Sequence, residues 1–293
     1  MSLLLQQIVN GLVLGGAYVL IALGLFLVFT ALHIPNFAHG EMYALGAFLQ
    51  YTLVVGLGMN FFVGVALSAV GVAVIGALLE ISVFRRLASR TLITVLVGSL
   101  ALSIVIQELL VMVWGKDVLA VPAPMQGMVQ IGGIRITTYR LLIIVVVMVV
   151  AAIAGWLVYR TSYGRQVRAL AQNREIAEMT AINVGGIGTI TFALGAGLAG
   201  IAGALLAPTV AIEPRMGFHP TLVAFMILVV VGGGGRMLSI VLGGFLIAAI
   251  EVLAGSYISH VAQGIVVFAL LVVFLSVRPE GAIRQGGVQK VTL

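Results

Sequence analysis

The chain has 293 residues, of which 62% are hydrophobic and 8% charged, with a net charge of +6 and no cysteine. An average soluble domain is about 25% charged, so a water-soluble fold built on one core is excluded. Disulfides, thiol ligands and thiol nucleophiles are excluded with it. Mean hydropathy is +1.24, which predicts a polytopic, all-α transmembrane bundle. A hydrocarbon layer about 30 Å thick takes about 20 apolar residues per helix, and backbone groups in lipid must be satisfied within the segment. The apolar runs are too long and unbroken for the alternating strands of a barrel. The 37 glycines predict closely packed helices or a pathway lined by backbone.

In chain order, a first span is expected over about Gln7–Leu32. The start, MSLLLQQIVNGLVLGG, has no basic region and reads as a retained span. The interruption from His33 to Glu41 follows, where Pro35 and Gly40 can break a helix and Asn36, His39 and Glu41 are unusual beside hydrocarbon. A short second span begins near Met42, and a third over Phe61–Phe84 ends at Arg85, Arg86 and Arg90, a cytoplasmic signal. Glu80, one turn before Arg85, predicts an ion pair at that end. The fourth span, Leu92–Trp114, carries Gln107 and Glu108 near its outer end, where they would either face an aqueous vestibule or hydrogen-bond between helices. Residues 115–138 form an external loop, in part a hairpin.

The fifth span, Arg140–Tyr159, leads into the longest polar interval, Tyr159–Gly188. Val167, Leu170, Ala171 and Ala177 fall near one helical stripe, while Arg165, Arg168, Gln172 and Asn173 lie mostly off it. Gly164 and Gly185–Gly186 are read as breaks at its two ends. A docking helix of this kind would offer its apolar stripe to a groove on a soluble partner. A sixth span over Ile190–Ala207 and a short apolar run, Phe218–Val231, precede Gly232, Gly233, Gly234 and Gly235. Four glycines in a row disfavour helix by about 1 kcal/mol each. Spans over Leu238–Leu253, with Glu251 deep inside, and Val261–Val277 come before a basic tail.

The positive charges sit mainly between spans, so they report topology and not a nucleic-acid surface. Placing the arginine clusters and the tail in the cytoplasm puts the N-terminus outside if the crossings number nine, and inside if a re-entrant segment lowers the count to eight. The count is then about eight or nine spans, depending on whether a short segment is re-entrant. Two Gly-interrupted short segments, near 33–41 and 232–236, occupy opposite halves, as in an inverted repeat. The whole of 1–293 is read as a single transmembrane domain, with the cytoplasmic docking segment at about 160–187 and the external loop at about 115–138.

No G-x-x-x-x-G-K-[ST] occurs, and the chain has only two lysines, Lys116 and Lys290. No H-E-x-x-H occurs either, and the four histidines are scattered, so no metal site is expected. Few ionisable groups fall at mid-bilayer, where ion-coupled secondary transporters commonly place them. An energised partner is the better explanation.

Four stretches then carry a resemblance. The segment Ile34–Tyr43 (IPNFAHGEMY) resembles a signature of the branched-chain amino acid permeases of ABC importers, the LivH type. Gln7–Leu27 looks like that family's opening span, and Tyr163–Asn173 with Ala177 and Ile182–Asn183 is similar to its coupling segment. Gly232–Glu251 resembles its glycine-rich stretch. The matches run along nearly the whole chain in the family's order. The resemblance implies a heterodimer with a paralogous permease, two cytoplasmic ATPases that bind ATP and Mg, a periplasmic binding protein, and an inner-membrane location. It implies no cofactor on this chain and no enzymatic activity of its own. Relatives of this type also carry urea, short amides or other amino acids.

Overall fold

The computed structural model describes residues 2–131, 134–172, 174–179, 182–231 and 236–277. Its elements are α1 (Ser2–Leu32), α2 (His39–Tyr51), α3 (Phe61–Leu79), α4 (Arg85–Leu87), α5 (Leu92–Trp114), β1 (Met128–Ile131), β2 (Ile134–Thr137), α6 (Thr138–Arg160), α7 (Ser162–Gln172), α8 (Arg174–Met179), α9 (Val184–Leu206), α10 (Phe218–Val231), α11 (Met237–Tyr257) and α12 (His260–Val277). Two π-helical turns, Thr52–Gly56 and Glu80–Phe84, extend α2 and α3. The strands form one antiparallel hairpin in the loop after α5, with Val129 opposite Ile136. Among the described residues, six helices are long and apolar enough to cross a membrane, and α2, α10 and α12 are shorter.

Two of the long helices are central posts. In the most apolar window of α1, 83% of the residues are buried, and in that of α9, 72%, against 22% in α3 and α6. The outer helices accordingly present Val70, Val74, Ile104, Met112, Val145 and Ile153 outward, a surface fit for lipid or another apolar chain. Hydrophobicity does not drive helix association in lipid, so the posts are held by close packing. A Cβ on Gly203 of α9 would overlap the Tyr43 carbonyl of α2, and one on Gly40 would overlap Thr221 Oγ1 and the Gly217 carbonyl. Only glycine allows these two approaches.

Helix ends follow from local chemistry. His33, at φ 54°, closes α1 in the left-handed region, and Pro35 prevents its renewal. Asn60 caps α3 by accepting from the Phe62 amide at 3.0 Å. The sixth span starts earlier than the sequence reading placed it. Asn183 accepts from the Gly186 amide at 2.9 Å, so Gly185–Gly186 lie in the first turn of α9 instead of breaking it. The polar interval therefore ends at Asn183, and 184–187 belong to the span.

Replacing Gly203 with Leu should lower the thermal midpoint of the detergent-solubilised protein sharply, since overpacking costs about 1–3 kcal/mol even where some relaxation is available. Gly155→Ala, where nothing lies within 4 Å of the added carbon, should leave the midpoint unchanged or raise it. Equal effects from the two would refute close packing as the constraint.

Candidate functional site

The interruption after α1 folds back into the bundle. Asn36 is buried, and its Oδ1 accepts from the Ala38 amide at 3.0 Å, turning the chain into α2. His39, in the first turn of α2, lies against Gly24 of α1. Glu41 is fully buried; its Oε1 accepts from Ser103 Oγ at 2.8 Å and Gln107 Nε2 at 2.7 Å. Ser103 is at the middle of the 23-residue α5, so the carboxyl lies at the mid-depth of the bundle. Phe37 stacks on Phe225 of α10 with centroids 4.5 Å apart, and its amide donates to Ser99 Oγ at 3.2 Å. The starts of α2 and α10 thus meet at Gly40 and Gly217 inside the protein. Broken helices at membrane depth require such shelter for their freed backbone groups.

Gln107 links this junction to a cavity of about 290 Å³ lined by Gln107, Glu108, Val111, Lys116, Glu213, Pro214 and Arg215. It lies on the face opposite the arginine-rich helix ends. The two loops that contribute Lys116 and Glu213–Arg215 are joined by reciprocal hydrogen bonds of 3.0 Å between Leu119 and Ile212. Glu251 belongs to a separate group. It is buried in α11, accepts from Gln263 Nε2 of α12 at 3.2 Å and lies 3.8 Å from His219 Nε2 of α10. Tyr18 of α1 completes the group, with its hydroxyl 3.5 Å from His219 Nδ1. This cluster ties four helices together. Gly232, Gly233, Gly234, Gly235 and Asn173 lie outside the described residues.

On the arginine-rich face, α7 is bound to the spans from three sides. The apolar stripe does not point outward as the docking expectation required. Val167, Leu170 and Ala177 are buried with Ala31 of α1 and Val184 and Ile187 of α9, because the chain's own helix ends offer the nearest apolar surface. The Tyr163 hydroxyl meets Thr191 Oγ1 at 2.8 Å, and burial pushes its pKa up to about 12, so it stays neutral. Arg168 Nη1 donates to the Val158 carbonyl at the end of α6. Gly164 has room for no Cβ beneath Leu157 and Val158. Arg165 and Gln172 are exposed, Ala171 is half-buried, and the large apolar side chains facing outward are Ile176, 58% exposed, and Met179, 86% exposed.

The expected ion pair at the end of α3 is present and more elaborate than sequence spacing suggested. The π-helical turn places Arg85 over Glu80 five residues earlier, giving paired bonds of 3.1 and 2.7 Å. Arg85 Nη2 also donates to Thr189 Oγ1 at 2.7 Å and the Gly185 carbonyl at 3.2 Å, locking α3 to the start of α9. Sequence reasoning missed Ser103, Thr189, Thr191, Tyr18, His219 and Gln263. Each is a polar residue on a largely apolar helix, with no local pattern to mark its partner.

Residues 7–275 match the profile of the family described as branched-chain amino acid transport system / permease component. The chain belongs to this family. It is 30% identical over 301 aligned residues, covering 98% of this chain and 97% of the relative, to the high-affinity branched-chain amino acid transport system permease protein LivH of Escherichia coli K12. BraD of Pseudomonas aeruginosa, a permease protein described in the same words, is 31% identical over 98% of both chains. A probable LivH of Methanocaldococcus jannaschii is 23% identical over 88% of this chain and 85% of the relative. No solved structure matches. The permease is thus a multi-pass transport component and not an enzyme. Among the described residues no group of three or more metal-ligating side chains occurs.

Ser103→Ala in the permease removes one of two donors to a buried carboxyl. The loss should cost about 1–3 kcal/mol, read as a lower thermal midpoint in nanodiscs. Ser82→Ala, whose exposed hydroxyl bonds only within its own helix, should have no such effect.

Proposed function

We propose that this chain is the membrane-spanning permease subunit of an ABC importer that moves branched-chain amino acids across the inner membrane. The observation that carries this reading is the full-length match to a branched-chain permease family. The partners are a second permease, two cytoplasmic subunits that bind and hydrolyse ATP with Mg, and a periplasmic substrate-binding protein. Counting α1, α2, α3, α5, α6, α9, α10, α11 and α12 as crossings gives nine, with the N-terminus outside and the C-terminus cytoplasmic.

The coupling segment is α7 with α8, and its geometry supports a lever. Gly164, Val167, Arg168, Leu170 and Ala177 fasten it to α1, α6 and α9, while Arg165, Ala171 and Gln172 occupy other positions along α7. A force applied to α8 by an ATPase subunit is transmitted to three spans through these contacts, and rigid-body tilting alternates access to the pathway. Ile176 and Met179 are the apolar anchors for that subunit, and Arg165 sets orientation. The broken helices at Asn36, His39 and Glu41 border the pathway. Gly232–Gly235, from the sequence, and Glu251, in its own group with Tyr18, His219 and Gln263, are further pathway candidates.

A pathway for aliphatic amino acids should bind weakly, since it must release what it receives. Uptake of labelled leucine, isoleucine, valine and urea by a strain carrying only this system tests the substrate. Amino-acid uptake is expected; urea uptake alone would overturn the substrate and leave the permease role standing. Met179→Asp should reduce transport at least tenfold while the protein remains in the membrane, with ATP hydrolysis no longer stimulated by loaded binding protein. Normal copurification with the ATPase and full transport in that variant would refute the anchor.

A further inference from the structure

The cavity on the face opposite the arginine-rich helix ends holds charges of both signs in equal number. Glu108 and Glu213 face it together with Lys116 and Arg215. Among the described residues, none of these four side chains forms an ion pair or hydrogen bond with another. Four neighbouring charges that leave one another unpaired are available to a ligand that carries both signs. The rest of the lining is Gln107, Val111 and Pro214, so one polar amide and two apolar surfaces complete the wall.

A second observation lies beneath the lining. Gln107 Nε2 donates inward to Glu41 Oε1 at 2.7 Å. Among the described residues, the second carboxylate oxygen, Glu41 Oε2, is buried and has no hydrogen-bond partner. A buried carboxyl oxygen left unpaired is costly and favours any donor that can reach it. Gln107 therefore connects an open, charged cavity to an unsatisfied acceptor at the mid-depth of the bundle.

We infer that this cavity is an entry site for a zwitterionic amino acid on its way into the bundle. It rests on the importer reading given above. The α-carboxylate meets Arg215 and Lys116, by charge-assisted hydrogen bonds. The α-ammonium meets Glu108 and Glu213, and advances toward Glu41 as Gln107 yields its bond. An aliphatic side chain lies on Val111 and Pro214. At about 290 Å³ the space falls just under the roughly 300–1,000 Å³ of drug-sized sites, which suits a single small solute. The four charges are exposed, and solvent-screened contacts hold loosely, as a site that must hand its ligand on requires.

The absence of native cysteine makes the site directly readable. Val111→Cys in the assembled transporter is labelled with a water-soluble thiol reagent, and the rate is followed on this subunit. Leucine should slow labelling several-fold; isovalerate and isoamylamine, which each keep one of its two charges, and urea should not. Adding Arg215→Gln should abolish protection by leucine, and Arg215→Lys should restore part of it. Equal protection by urea or by either single-charge analogue would overturn the zwitterion assignment. Absence of labelling in every state, or labelling that leucine never slows, would overturn the site. Leucine uptake by the cysteine-free parent is measured alongside. A parent that takes up no amino acid defeats the importer reading itself, an outcome distinct from a transporting parent whose cavity ignores leucine.

Discussion

Close approach of helix backbones is the constraint on which the rest of this permease depends. Lipid tails are as apolar as leucine, so nothing like aqueous exclusion presses the spans together. Association rests on contact, and contact at backbone distance demands glycine where α2 meets α9 and α10. Gly203 lies on the Tyr43 carbonyl, and Gly40 lies on Gly217. These approaches bring the starts of two short helices together inside the protein.

The interior junction imposes its own condition. Breaking two helices at depth exposes backbone groups that cannot turn to water. The Asn36 side chain turns back onto the Ala38 amide, Ser99 of α5 accepts from the Phe37 amide, and Ser103 with Gln107 of α5 ties the Glu41 side chain to a second helix. The Glu251 group does the same for α1, α10, α11 and α12. Both carboxyls are therefore embedded in interhelical hydrogen bonding, while Gln107 also reaches the cavity wall.

On the other face, short helices are bound into the ends of long ones. The π-helical turn at Glu80–Phe84 is a local distortion with a tertiary purpose, since it aligns Arg85 with Glu80 and both with Thr189. Arg168 on the Val158 carbonyl and Tyr163 on Thr191 do the corresponding work for α7. Motion of that face cannot stay local.

The sequence by itself determined the class, the long spans and the break after α1. The limits of α5 and α10 agree with the apolar runs residue for residue, because spans in lipid must be continuous in composition. His33–Pro35 and the Glu80–Arg85 pair were legible for the same reason: the physics is local. Direction was not. A periodic stripe at Val167, Leu170 and Ala177 says that one face is apolar, and only the tertiary structure decided that it turns inward onto Ala31 and Ile187, leaving Ile176 and Met179 outside. The same holds for Glu41, whose donors lie 62 and 66 residues away on α5. A helix in lipid is apolar on every side, so its sequence carries little record of which face meets a neighbour; that record exists only in the packing.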